Sequence, residues 1–141
     1  MDLGLKMDGT LHYFRAYTAF MEDAAMNWIT GSGVRGVKAI SLPLRFDKQK
    51  TAYTVRLYFA EPEDLKLGER VFSVGLQGAD VLKDFDIVKE AGGARRSLVK
   101  EFKHVDVDDA LHVTFTPVKD LRMVTAVISG IEVVAETSAG N

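Results

Sequence analysis

TAYTVRLYFAEPEDLKLGERVFSVGLQGADVLKDFDIVKEAGG, residues 51–93, is the most informative stretch of the chain. Apolar and polar side chains alternate through residues 53–60, which is the period-two pattern of a strand with one buried face. The same alternation returns at residues 71–76. Residues 61–70 between them carry four carboxylates, Gly68 and Arg70, and so predict a solvated loop at one end of a sheet. Loops in such a position often carry functional residues.

Short strands separated by turn signals fill most of the remaining chain. The pattern predicts further strands at residues 37–46, 80–83, 97–105, 110–117 and 125–134, with turns at Gly78 and at residues 106–109. Sustained helical periodicity is rare, so the predicted fold is an all-β antiparallel sandwich. Residues 1–30 are predicted as a short helical or irregular segment, although DGTLHYFRAY at residues 8–17 also fits a turn that leads into a short strand.

The composition is that of one ordinary domain. A chain of 141 residues can bury its own core without disulfide bonds or other cross-links. A formal net charge of -2 argues against a nucleic-acid surface, which needs clustered lysine and arginine. The chain has no cysteine, no apolar run long enough for a membrane helix and no secretory signal in its first residues. We therefore expect residues 1–141 to be one domain cut from a larger protein, with a polar tail at residues 135–141 and any export signal elsewhere.

Residues 31–36, GSGVRG, match the GxGxxG pattern of dinucleotide-binding loops. In that fold the pattern follows a buried strand and opens a helix. Here a β-like segment that contains Pro43 follows instead. The pattern is therefore interpreted as a flexible turn before a strand, and no nucleotide cofactor is predicted.

The acidic loop could in principle be catalytic. A glycosidase needs two carboxyl groups about 5 to 9 Å apart across a bound sugar, and neighbours in sequence rarely meet that geometry. Glu61 continues the core-side register of the preceding strand, which predicts a structural hydrogen bond to nearby backbone amides. Glu63 and Asp64 are predicted to face solvent, where they would accept hydrogen bonds from vicinal sugar hydroxyls if the loop covers a sugar site.

Two groups of aspartates admit a calcium-site interpretation, one at residues 84 and 86 and the other at residues 106–109. Neither has the spacing of a recognised calcium loop, and aspartates commonly cap turns by bonding the backbone two residues on. The three histidines, at residues 12, 104 and 112, show no ligand spacing. No metal site and no cofactor are predicted.

Several short sequence motifs resemble those of the malectin and malectin-like family of carbohydrate-binding modules. They are FAE at residues 59–61, GERVFSV at residues 68–74 and DFDIVKEAG at residues 84–92, while SGIEVV at residues 129–134 fits the family's last strand. The resemblance is strongest over residues 53–134 and implies a jelly-roll-like sandwich of two antiparallel sheets. It also implies sugar binding through loops at one end of the sandwich. The adjacent Tyr and Phe of the family's disaccharide site fall on Glu63 and Asp64 here.

Together, these observations predict a non-catalytic carbohydrate-binding module of a larger bacterial-type extracellular or periplasmic protein. Its partners would be an oligo- or polysaccharide, for example a glucose-type oligosaccharide, and the rest of the parent protein, with no nucleic acid and no membrane insertion. The predicted ligand-binding residues combine aromatic stacking groups with polar partners for hydroxyls: Tyr13, Trp28, Glu63, Asp64 and Arg70. The resemblance to the family adds Asp120, which lies near the position of the family's site aspartate.

Two alternatives remain open at the level of the sequence. The aromatic side chains of Tyr13 and Trp28 are also the kind that plug one end of a sandwich. Glu63 and Asp64, which stand in place of the family's aromatic pair, favour a structural or protein-interaction module that has lost the sugar site.

Overall fold

The computed structural model describes residues 6–15, 32–44, 51–118 and 125–136. These residues form nine strands and one short helix, here numbered in chain order. The elements are β1 (Lys6–Arg15), β2 (Ser32–Pro43), β3 (Thr51–Phe59), β4 (Val71–Leu76), β5 (Ala79–Asp86), α1 (Ile87–Ala91), β6 (Leu98–Val107), β7 (Ala110–Pro117), β8 (Val127–Ile128) and β9 (Gly130–Ala135).

The strands form two antiparallel sheets. The larger sheet has the order β1-β2-β7-β4-β5, with β8 paired to β2, and the smaller sheet has the order β6-β3-β9. All of the strand pairs within both sheets are antiparallel. The predicted antiparallel β-sandwich is therefore confirmed.

The core lies between the inner faces of the two sheets. The alternating residues Val55, Leu57 and Phe59 of β3 are fully buried and belong to the same apolar cluster as residues of the larger sheet. Phe59 meets Phe85 across the sandwich with ring centroids 4.8 Å apart, and Phe72 with centroids 6.1 Å apart. The period-two pattern of the sequence thus gives β3 one face in the core and leaves its other face outside.

Most of the predicted strands are confirmed, and the differences have local causes. The strands predicted at residues 71–76 and 110–117 are β4 and β7. The single strand predicted at residues 125–134 is instead two strands, because the chain crosses from the larger sheet to the smaller one at Ser129, whose amide donates to the carbonyl of Tyr58 at 2.9 Å.

A helix was not expected after β5, yet residues 87–91 form α1. Asp86 caps its first turn by accepting from the amide of Lys89 at 3.3 Å, and the left-handed Gly92 ends it with φ of 86°. Asp86 also accepts from the amide of Gly68 at 2.7 Å. This carboxylate therefore serves as a cap, and no group of three or more His, Cys, Asp or Glu side chains in the described ranges could hold a metal ion.

The interpretation of residues 31–36 as a flexible turn is wrong for the described part, since β2 begins at Ser32. Strand β1 pairs with one side of this segment, and β8 pairs with Val34 and Arg35 on the other. Gly36 takes a φ of 85° and its amide donates to the carbonyl of Ala126 at 3.0 Å. Neighbours on both sides supply hydrogen bonds, so the glycine-rich sequence is held as a strand.

Residues 6–15 form strand β1, so the helical or irregular assignment is wrong there, whereas the alternative of a short strand within residues 8–17 agrees with the structure. Residues 16–30 lie outside the described ranges, as does most of the predicted tail. The predicted turn at Gly78 is confirmed as a two-residue hairpin turn, with positive φ at both Gln77 and Gly78. The turn predicted at residues 106–109 is shorter than expected, because β6 continues to Val107. No helix among the described residues is long and apolar enough to cross a membrane.

Candidate functional site

The loop at residues 61–70 connects β3 of the smaller sheet to β4 of the larger sheet. Its ends are joined by a buried ion pair. Arg70 Nε donates to Glu61 Oε1 at 2.6 Å, and Arg70 Nη2 donates to Glu61 Oε2 at 3.3 Å. The side chain of Arg70 is 2% exposed and that of Glu61 is 0% exposed. The two ends of the loop are therefore held together by an ion pair whose charged groups are both buried.

Glu61 lies on the core side, as the alternation predicted, but its main partner is the Arg70 side chain rather than a backbone amide. It also accepts from the amide of Glu63 at 3.2 Å. Burial raises the pKa of Glu61 above its ordinary value, and the bonds from Arg70 offset this only in part. A carboxylate enclosed in this way is unsuited to serve as a catalytic acid or nucleophile for a ligand in solvent.

Arg70 extends the network beyond the base of the loop. Its Nη1 donates to the carbonyl of Thr125, in the segment that precedes β8, and its Nη2 donates to Glu63 Oε2 at 2.6 Å. Four of the five donors of the guanidinium are thus used within the protein. Arg70 therefore fixes the position of Glu63 and has no exposed face for direct contact with a ligand.

Glu63 is the exposed member of this network. Its side chain is 42% exposed, and its second oxygen, Oε1, accepts from Arg35 Nη1 at 2.8 Å. Arg35 comes from β2, in the segment that the sequence presented as a glycine-rich turn. Arg35 Nε is buried and has no hydrogen-bond partner among the described residues. Glu63 and Arg35 together present a carboxylate and a guanidinium to solvent in a fixed arrangement.

Asp64 lies next to this pair and is 83% exposed. It forms an ion pair with Arg95, from the connection between α1 and β6. The amide of Arg95 in turn donates to the carbonyl of Glu61 at 2.9 Å, so this connection is attached to the acidic loop. The exposure predicted for Glu63 and Asp64 agrees with the structure, whereas their arginine partners were not foreseen.

The predicted site residues divide into three groups. Glu63, Asp64 and Arg70 lie on one loop, with Arg70 buried beneath it. The backbone of Tyr13 in β1 pairs with Val34, the neighbour of Arg35. Trp28 and Asp120 lie outside the described residues.

Arg35 and Arg95 are the members of the site that the sequence interpretation missed. An isolated arginine in a turn-like segment gives no signal of its own. Only the pairing of β2 with β1 and β8 places Arg35 beside a loop 28 residues away.

A separate open groove of about 540 Å³ lies between the β4–β5 turn and β6, and it is lined by Leu76, Gln77, Ala79, Val81 and residues 101–106. Of the predicted site residues whose side chains the structure describes, Glu63, Asp64 and Arg70, none lines it.

The family model of the malectin domain matches residues 42–133. Among curated proteins, a probable receptor-like protein kinase of Arabidopsis thaliana is 36% identical over 101 residues, which is 64% of this chain and 12% of that kinase. The chain thus spans only about an eighth of the length of this relative. The relative is a plant protein, so it gives no support to the expected bacterial-type parent.

Several solved structures share the fold. The ANX2 ectodomain of Arabidopsis thaliana matches with a TM-score of 0.75 and 13% identity, over 96% of this chain and 42% of that chain. A structure of the plant peptide RALF23 in complex with FER and LLG2 matches with a TM-score of 0.67 and 25% identity, over 93% of this chain and 34% of that chain. A Bacteroides uniformis β-glucuronidase matches with a TM-score of 0.71 and 15% identity, over 93% of this chain and 14% of the enzyme. At such identities the ANX2 and β-glucuronidase likenesses concern the fold alone.

Proposed function

The chain belongs to the malectin domain family, and from that premise we propose that it is a non-catalytic module that binds glycan through the loop end of the sandwich. The proposal rests on the exposure and the hydrogen bonds of the Glu63 carboxylate. Its carboxylate is 42% exposed, yet each of its oxygens is held by one arginine, Arg35 or Arg70. It is a preorganised acceptor that faces solvent.

The chemistry of this arrangement suits a sugar. A carboxylate has about four lone-pair sites, so two bonds from arginine leave capacity for two hydroxyl donors. The adjacent guanidinium of Arg35 is 33% exposed and is a planar donor for a hydroxyl or ring oxygen. Because both groups are already fixed, a ligand would lose little binding free energy to ordering them.

The remaining predicted residues complete the proposed site. Asp64 would add a second carboxylate at the rim, and Arg70 would act from below by holding Glu63. Tyr13 or Trp28 would supply an aromatic surface for the C–H face of a pyranose, such as that of a glucose-type oligosaccharide. The backbone register of Tyr13 beside Val34 supports its inclusion. Asp120 would contribute a further hydroxyl partner.

The likeness to a probable receptor-like protein kinase supports a place outside the cell, as part of a longer protein. The periplasmic option and a bacterial-type parent remain proposals from the sequence alone. Weak binding at a single shallow site would be strengthened by attachment to that longer chain, which raises the effective concentration near a polysaccharide.

The proposal is tested with the purified domain displayed multivalently on a glycan array that includes α- and β-glucans. Glu63→Gln is expected to weaken binding about tenfold or more, because a charged acceptor is lost. Glu69→Gln is the matched control, since it makes the same change on an exposed residue of the same loop. Glycan binding by Trp28→Ala and Tyr13→Ala tests whether either aromatic side chain contributes to the site. Equal binding by the Glu63 and Glu69 variants would exclude the proposed site.

A protein-interaction module is the second candidate. It is favoured by the ion pairs that already occupy Glu63 and Asp64, and by the RALF23 complex with FER and LLG2 among the structural neighbours. By analogy, its partner would be a peptide or a protein. If the folded domain binds no glycan on the array, the protein-interaction function is favoured over the glycan-binding function.

A further inference from the structure

The outer face of the smaller sheet carries a second set of polar and aromatic side chains. This outer face is formed by β6, β3 and β9, with β3 in the centre. Since Val55, Leu57 and Phe59 point into the core, Thr54, Arg56 and Tyr58 of the same strand point outward. The face is distinct from the loop end of the sandwich.

Arg56 lies at the centre of the outer face between two glutamates. It is directly opposite Glu101 on β6 and Glu132 on β9. Its Nε donates to Glu101 Oε2 at 2.7 Å and its Nη1 donates to Glu132 Oε1 at 2.8 Å. The three planar groups are therefore held in one row across the sheet.

Tyr58 follows in the next row and is partly exposed. Its partner on β6 is Val99, which is 38% exposed, and its partner on β9 is Gly130. Because glycine has no side chain, the β9 side of the tyrosine ring has no directly opposed neighbour. The ring is nevertheless fixed, since its hydroxyl donates to Glu132 Oε1 at 3.1 Å.

The hydroxyl of Tyr58 remains a donor at neutral pH. Partial burial and the bond to Glu132 raise the pKa of Tyr58 above its ordinary value. Glu132 takes both of its bonds from Arg56 and Tyr58 on Oε1, which leaves Oε2 available to hydroxyl donors as far as the described residues show.

We infer that this outer face is a second glycan-binding surface, with the Tyr58 ring as the stacking group and the Arg56–Glu132 pair as the partners for hydroxyls. A pyranose offers an apolar C–H face to an aromatic ring and hydroxyls at its edge, which matches a fixed ring beside fixed planar polar groups. The surface shares its ligand class with the proposed function, but it uses none of the same residues.

The size of the outer face favours an oligosaccharide over a protein partner. The three strands β6, β3 and β9 have 10, 9 and 6 residues. At about 3.4 Å per residue and about 4.8 Å between strands, they cover on the order of 400 Å². A stable protein interface needs about 800 Å² from each partner. A short glycan can be accommodated within the smaller area.

The charge of the outer face favours a neutral glycan. Its acidic side chains are Glu101, Asp106, Glu132 and Glu136, and its basic side chains are Arg56 and Lys103, with the His104 ring beside Glu136. Arg56 is already bonded to two carboxylates, so it offers little attraction to a further anion. A uronic-acid chain would meet a small excess of negative charge.

The experiment is a titration of the ¹⁵N-labelled domain with neutral gluco-, xylo- and manno-oligosaccharides, and separately with oligogalacturonate. At least one neutral sugar is expected to shift the amides of Tyr58, Gly130 and Glu132. Tyr58→Ala is expected to weaken this binding about two- to tenfold, whereas Tyr58→Phe retains the ring and should retain most of it. Glu63→Gln is expected to leave these shifts unchanged.

The possible outcomes separate the two glycan sites. Shifts confined to residues 61–70 would overturn this inference and leave the proposed function standing. Shifts confined to the outer face would support this inference and overturn the proposed site. Binding of oligogalacturonate alone, or no shift with any sugar, would overturn the inference. If Tyr58→Ala does not fold, the Glu132→Gln variant provides the test. Weaker sugar binding by this variant would support the outer face as a binding surface, whereas an unchanged Kd would exclude it.

Discussion

Arg70 and Glu61 form a buried ion pair, with Nε and Oε1 2.6 Å apart, that joins the last and first residues of the loop between the two sheets. A buried pair of this kind is strongly destabilised when one partner is removed, because the other charge is left in the interior without compensation. The loop end of the sandwich, including the orientation of Glu63, therefore depends on this contact.

We expect Arg70→Met to destabilise the domain by about 3–5 kcal/mol, the usual cost of breaking a buried pair. The double variant Glu61→Leu/Arg70→Met should recover part of this loss, because no unpaired charge remains. Urea unfolding of the wild type, both single variants and the double variant measures the coupling. Additive losses would show that the two charges do not act as a pair. Lys103→Gln, which alters an exposed and long ion pair, is the control and should change little.

The stability contributed by Glu61 should fall as the pH rises. Its pKa is raised in the folded state, so its contribution is fully present below the ordinary glutamate pKa and is lost as the pH passes the raised folded value. The stability of the wild type relative to Glu61→Gln should therefore decrease between acid and neutral pH. Unfolding curves of both proteins across that interval provide the measurement, and a difference that grows with pH would contradict the assignment.

Glu136 should show the opposite dependence. It accepts from the amide of His104 at 2.8 Å and from Thr54 Oγ1 at 2.9 Å, and it meets the His104 ring at 2.8 Å. These contacts, first of all the bond from the His104 amide, lower the pKa of Glu136 below its ordinary value. Its contribution should be present above the ordinary carboxyl pKa and be lost as the pH falls through the lowered folded value.

The measurement for Glu136 compares the wild type with Glu136→Gln by unfolding at neutral and acid pH. The wild type is expected to be the more stable of the two at neutral pH, and the difference should shrink in acid. A difference that does not vary with pH would mean that the carboxylate charge is not what the contacts stabilise.

The sequence predicted those parts of the fold that depend on local periodicity. The alternation at residues 53–59 assigns Phe59 to the core and Tyr58 to the outside, and both assignments agree with the structure. The same register places Glu61 inside. A single strand reports which face is buried, because side chains alternate with a fixed period.

The sequence patterns did not predict which strands pair with one another. Arg35 reaches Glu63 only because β2 lies between β1 and β8, an arrangement set by contacts distant along the chain. The helix α1 has a capping aspartate and a terminal glycine that could have indicated it, but its five residues are too few for a periodic pattern. Long-range pairs and very short elements are therefore the features that sequence patterns miss.

Gly75 tests the close approach of two strands in the larger sheet. It lies directly opposite Thr114 in the β4–β7 pair, and a Cβ added at this position would be 2.5 Å from Thr114 Oγ1. We expect Gly75→Ala to destabilise the domain by about 1–3 kcal/mol, because a well-packed neighbour must move or rotate. The double variant Gly75→Ala/Thr114→Ala removes the obstructing oxygen and should be more stable than the sum of the single changes predicts.

Thermal or urea unfolding of the four proteins in this cycle measures the effect. Gly78→Ala provides a contrast, since an added Cβ there meets nothing within 4 Å and any loss comes from its φ of 83°. That loss should be about 1–2 kcal/mol and should be independent of Thr114. If Gly75→Ala were as stable as the wild type, rotation of the Thr114 side chain would be sufficient to accommodate the methyl group. The close contact would then have no part in requiring glycine at this position.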